Sequence, residues 1–144
     1  MKKSFSLVEI LVFVTVLSVF FVAAMSILTY SLRNMKVNEH KILASHYAGE
    51  ALEWIKEEKD KDWNVFLALD SNPESTTYCL NSLSWSSGSC TTYDLGSPSP
   101  IFKREAVLDS QTSPERVNAT VNVYWVEGSD VFSVSLNSVL TILE

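Results

Sequence analysis

Proline is missing from the first 72 residues, and Gly49 is the only glycine among them. Half the chain therefore lacks the residues that most often interrupt a helix. Charge is missing too: from Ile10 to Leu28 no side chain is ionised, and only Thr15, Ser18 and Ser26 carry hydroxyls. Basic excess is absent. Eleven Lys and Arg face seventeen Asp and Glu, for a net charge of −6. That balance argues against nonspecific nucleic-acid binding, which needs cations to neutralise phosphates. Cysteine occurs twice, at Cys79 and Cys90, too few for a disulfide-dense scaffold and a poor metal set on their own. His40 and His46 are six apart, which is not one helix face, and neither is near the cysteines in sequence. No Gly-rich phosphate loop and no Ser/His/Asp grouping stands out. Carboxylates cluster only in mixed charge runs such as Glu50, Glu53 and Glu57 among lysines, which read as solvated helix surface. The expectation is a protein that is not an enzyme and has no cofactor, metal site or nucleic-acid site.

What is present is concentrated at the N-terminus. The chain starts Met1-Lys2-Lys3-Ser4-Phe5 and then runs apolar, with Glu9 the one charge inside that run. At 1.5 Å per residue, Ile10 to Leu28 just spans a bilayer. A carboxylate in hydrocarbon costs a few kcal/mol or more, so a charge kept there implies a partner. A cut between Ser4 and Phe5 would create one, the new α-ammonium of a neighbouring copy. Lysines and arginine on both sides (Lys2 and Lys3; Arg33, Lys36 and Lys41) leave orientation open by the positive-inside rule.

Helix signals persist beyond the apolar run. Ala44, Tyr47, Ala48, Ala51, Leu52 and Ile55 form one stripe at helical spacing, and one helix is expected from Phe5 to about Phe66. From Asp70 to Pro100 the composition turns to Ser, Thr, Asn, Gly and Pro, with turn signals throughout. This reads as a surface loop closed by a Cys79–Cys90 disulfide in an exported domain. Trp85 lies within it, either a contact residue or packed on a sheet. Strands are expected over Ile101–Leu108 and Arg116–Val126. A third carries Phe132, Val134, Leu136, Leu140 and Ile142 on one face, after a turn at Glu127–Asp130. The stripe from Ala44 to Ile55 is the expected cover for the sheet's apolar face. Asn118-Ala119-Thr120 matches the short glycosylation sequon.

Lys2, Lys3, Ser4, Phe5, Glu9 and the apolar helix behind them resemble the start of type IV pilins, including minor pilins and the pseudopilins of type II secretion. Ser4 stands where that family usually has glycine, and the membrane segment lacks the proline many major pilins carry. The resemblance implies the pilin fold: an α+β class with a long N-terminal helix packed on a small antiparallel sheet of three to four strands. It also implies cleavage between Ser4 and Phe5 by a prepilin peptidase, methylation of the Phe5 amine, and Glu9 as the assembly residue. Implied partners are other pilin subunits, the inner-membrane assembly platform and membrane lipid. Implied locations are a bacterial inner membrane before assembly and a surface or periplasmic filament after it. The expected division is a leader at 1–4, a transmembrane and filament-core helix at 5–32, and an amphipathic continuation at 33–69. A disulfide-tied loop at 70–100 and the sheet at 101–144 complete it. Two rivals remain. Val22-Ala23-Ala24 loosely fits an ordinary signal-peptidase site, which would release a secreted binding module starting at Met25. The third reading is a single-pass anchored module that never polymerises.

Overall fold

The computed structural model describes residues 6–70, 75–112 and 115–142. Two compact units divide the chain, Met1–Asn38 and Glu39–Glu144. Helix α1 spans Leu7–Lys61 and contributes to both. Among the described residues of the first unit it is the only regular element, and residues 6–36 are all exposed. By length and composition it is able to cross a membrane. This makes it a candidate single-pass anchor.

The second unit is an α+β sandwich of helix on sheet. Ala44, Ala48, Ala51, Leu52 and Ile55 of α1 are buried with the inner face of an antiparallel sheet, as the helical spacing predicts. Three alanines on that stripe let the helix backbone come close to the strands. The sheet has five strands: β1 (Thr76–Cys79), β2 (Ser86–Ser87), β3 (Phe102–Thr112), β4 (Glu115–Glu127) and β5 (Asp130–Leu140). Their order is β2-β1-β3-β4-β5. Strand β4 is the centre of the core. Its Val117, Ala119, Val121, Val123 and Trp125 are all buried, and the alternate residues face outward, as period 2 requires.

Three sequence expectations need correction. The sheet has five strands instead of three to four, because the Ser/Thr-rich stretch read as loop holds β1 and β2. β1 pairs with β3 from Thr76↔Leu108 to Cys79↔Glu105, and β2 pairs with β1. The long helix stops at Lys61 instead of Phe66. Asp62 adopts extended backbone (φ −159°, ψ 108°), and its carboxylate accepts the N–H groups of Asn64 and Val65 at 2.9 and 3.1 Å. That N-cap starts a second helix, α2, Trp63–Ala68. The change of direction seats Phe66 in the core. Finally, Ile142 lies past the end of β5 and is exposed rather than sharing its inner face.

The β4–β5 hairpin closes through Gly128 and Ser129. Glu127 pairs with Asp130 across the turn, and Gly128 takes φ +65°, a conformation glycine adopts without steric cost. His40 is mostly buried. Its Nδ1 lies 2.5 Å from Glu127 Oε1, and its ring meets Phe102 edge-on at 5.8 Å. The pair ties α1 to the end of β4 within the second unit.

Candidate functional site

Glu9 lies in the first turn of α1. The turn is tight: the Glu9 and Ile10 N–H groups both donate to Ser6 O, at 3.0 and 3.3 Å. Ser6 and Glu9 thus have the sequence spacing of a capping box. A carboxylate at a helix start also meets the positive end of the macrodipole, worth about 0.3–1 kcal/mol at an exposed site. That local gain is smaller than the cost of holding the charge in hydrocarbon. Helix capping alone therefore does not account for Glu9 in a membrane setting.

The other polar side chains of the run satisfy themselves. Thr15 Oγ1 donates to Val12 O at 2.8 Å and Ser18 Oγ to Val14 O at 2.7 Å. Ser26 Oγ donates to Val22 O, and Thr29 Oγ1 to Met25 O, both at 2.9 Å. Hydroxyls bonded to their own helix carry no orphan donor into lipid. Glu9 is therefore the one polar side chain between Leu7 and Leu28 that asks for an outside partner. Among the described residues no ion pair includes it. Ser4 and Phe5, the expected cleavage pair, lie outside the described residues.

In the second unit the disulfide joins Cys79, at the end of β1, to Cys90, with Cα atoms 4.8 Å apart. Its loop is anchored on both sides. Cys90 N–H donates to Glu105 Oε1 at 3.0 Å, and Leu80 N–H donates to Arg104 O at 2.8 Å. Trp85 turns inward, not outward. Its ring lies 4.8 Å from Trp54, 5.0 Å from Tyr78 and 6.1 Å from Phe66. Its indole N–H donates to Glu58 Oε2 at 3.3 Å. The Glu58 carboxyl is held below its ordinary range, first by the hydrogen bond from Lys61, with Trp85 adding to it against partial desolvation. Tyr78 donates to Leu69 O at 2.6 Å. Burial, and then the Asp70 charge, push its phenol upward, so it keeps that proton.

This packing fixes the behaviour expected of the cysteines. Alkylation of the exported, unreduced protein should leave both unlabelled. Reduction should lower stability by about 3 kcal/mol, the loop-closure entropy of so short a loop. Labelling of both thiols without reductant, or an unfolding midpoint indifferent to reductant, would show that other contacts hold the loop.

Arg104 is the residue that the sequence reading missed. It sits on the inner face of β3 between Phe102 and Ala106, and its side chain is 1% exposed. Nε donates to Leu80 O at 3.0 Å, and one terminal nitrogen donates to Tyr47 O and Glu50 Oε2, both at 2.8 Å. One guanidinium thus joins helix, sheet and disulfide loop. Arg104 shares its face with the buried Phe102, Ala106 and Leu108, so the signal available in the sequence is a charge in phase with apolar residues at period 2. Lys103, on the outer face, lies over the Tyr93 and Tyr124 rings and binds Glu105 at 3.0 Å.

Two of the three helix carboxylates have structural partners. Glu50 is bound to Arg104 and Glu53 to Lys56. Among the described residues no cluster of three metal-binding side chains occurs. Asn118 is half-buried on β4 and donates to Asp109 Oδ2 at 3.3 Å, so a glycan there would have to displace that bond. No protein-family model matches the chain, and no curated protein or solved structure matches it either.

Proposed function

We propose that the chain is a structural subunit, minor pilin or pseudopilin-like, of a type IV pilus or type II secretion filament. The observation that carries this reading is Glu9, the lone charge of the apolar run from Leu7 to Leu28, whose other polar side chains are bonded to their own helix. In the membrane the helix from Leu7 to Leu32 stores the subunit. In the filament the same surface packs against neighbouring helices, so it stays out of water in both states. Glu9 then sets the register. Its carboxylate is satisfied where it meets the α-ammonium of a neighbour processed at Phe5, and sliding one subunit along another would strand both charges. The helix-on-sheet unit, with its disulfide-tied loop, is the outward-facing body. Prepilin peptidase, the inner-membrane assembly platform and other pilin subunits are the partners this reading requires.

Mass spectrometry of the chain produced with an active prepilin peptidase tests it. The expected product starts at Phe5 and carries one added methyl. A chain still starting at Met1 would point to the anchored module that never polymerises. A start at Met25 would point to the secreted module.

A further inference from the structure

Charge is distributed unevenly along the chain. After Asn38, seven Lys and Arg face sixteen Asp and Glu. From Ile10 to Asn38 the only charged side chains are Arg33 and Lys36, both basic and both exposed. The positive-inside rule accounts for cations on one flank of an apolar run. Lys2 and Lys3 already hold one flank, so the pair on the other calls for a separate role.

That role follows from depth. Arg33 lies five residues past Leu28, about 7.5 Å along the helix axis. The headgroup layer is about 5–7 Å thick on each side of the hydrocarbon. Helical Cα–Cβ bonds tilt toward the N-terminus, so the Arg33 side chain leans back into that layer. Lys36, one turn further on, has a flexible stem that leans the same way.

A shallow groove runs along this part of α1. Phe21, Val22 and Met25 line its first half, and Tyr30 and Arg33 its second. Between them, Ser26 and Thr29 donate their hydroxyl protons to Val22 O and Met25 O, so neither asks for a ligand. The groove is apolar at hydrocarbon depth and ends in a phenol and a guanidinium at headgroup depth. Tyrosine favours that interfacial level. A phospholipid lying along the helix has the same polarity profile.

We infer that the groove holds an anionic phospholipid. One acyl chain follows Phe21, Val22 and Met25, and the phosphodiester sits between Arg33 and Lys36, near Tyr30. A guanidinium donates two parallel hydrogen bonds to phosphate oxygens. Charge selects the class of headgroup. A zwitterionic one brings its own ammonium, and no carboxylate lies between Ile10 and Asn38 to receive it. A headgroup charged only at its phosphate, such as phosphatidylglycerol, has no ammonium to strand. The inference rests on the helix as a membrane anchor, common to the filament subunit and to the anchored module that never polymerises. It does not rest on Glu9 or on assembly.

Spin-labelled lipids test it on the full chain reconstituted in phosphatidylcholine vesicles. Trace phosphatidylglycerol or phosphatidylcholine, each labelled on an acyl chain, reports by electron paramagnetic resonance the share of lipid immobilised at the protein. At low salt phosphatidylglycerol should associate about fivefold more strongly, the worth of one juxtamembrane cation. In about 1 M salt, where the screening length is about 3 Å, the preference should fall towards unity. Arg33→Gln with Lys36→Gln should remove it. Both positions are exposed, so this variant should insert and keep the tryptophan emission of the unaltered chain. Lys2→Gln with Lys3→Gln, at the other end of the run, should keep most of the preference. An inserted chain that immobilises both lipids equally overturns the inference and leaves the anchor standing. So does a preference that survives R33Q/K36Q, or one that only K2Q/K3Q removes. A chain that fails to enter the vesicles and immobilises neither lipid overturns the anchor itself, and the inference with it.

Discussion

Arg104→Ala should lower the stability of the helix-on-sheet unit by about 3 kcal/mol, a large share of the 5–15 kcal/mol typical of a domain. Three losses contribute. The guanidinium's bonds to Leu80 O and Tyr47 O disappear, a cavity opens between α1 and β3, and the Glu50 pair is broken. The ion pair is the smallest of these. Glu50 is 46% exposed, so solvent screens it while paired and rehydrates it when alone. Glu50→Gln should therefore cost under about 1 kcal/mol. Arg104→Met restores volume without hydrogen bonds and should recover roughly half of the alanine loss. Denaturant unfolding followed by tryptophan fluorescence reads this directly, because Trp54, Trp63, Trp85 and Trp125 all lie in Glu39–Glu144. If Glu50→Gln proves as costly as Arg104→Ala, the charge pair dominates and the packing account fails.

Glu9→Ala is expected to leave membrane insertion intact and to abolish incorporation into filaments. Removing the carboxylate lowers the cost of placing the helix in lipid, so membrane levels should match those of the unaltered chain. If Glu9 pairs with a neighbour's Phe5 ammonium as proposed, assembly loses one partner of a buried pair, which typically costs about 3–5 kcal/mol because the other charge is left stranded. That penalty corresponds to a drop of roughly two to four orders of magnitude in the equilibrium for adding a subunit, at 1.36 kcal/mol per tenfold change. Immunoblots of membrane and sheared-filament fractions make the comparison. Equal incorporation of the alanine variant and the unaltered chain would remove Glu9 from the assembly mechanism. Loss from both fractions would instead assign it to insertion or folding.

The long helix was legible because its signal is local. An uncharged run followed by an alanine-rich stripe repeats over many turns without proline, and the stripe that it predicted is buried. Strands β3 to β5 were legible for the same reason: alternation repeats over eight or more residues and outweighs any single misfit. The strands' faces also named most of the core, since period 2 leaves only one register with valines inside.

What tertiary structure decided lay where local signals were short or contradictory. Four residues of β1 and two of β2 sit among serines and threonines, with too few alternations to declare themselves. They become strands because β3 offers an open edge and the Cys79–Cys90 bond holds the return segment beside it. Asp62 reads as one more charge in an acidic and basic run, yet it is the cap that ends α1 and turns Phe66 inward. Trp85 had two equally good fates by sequence. The rings of Trp54, Tyr78 and Phe66, from helix α1, strand β1 and helix α2, draw it inward, where it packs partly buried against the core. Arg104 alternates with Phe102 and Ala106 on the inner face of β3, but a buried charge is tolerable only where acceptors converge. Those acceptors, Leu80 O, Tyr47 O and Glu50, come from a loop and a helix that sequence does not place beside it. Likewise, composition marks residues 131–140 as uncharged, but only the strand order makes β5 an edge.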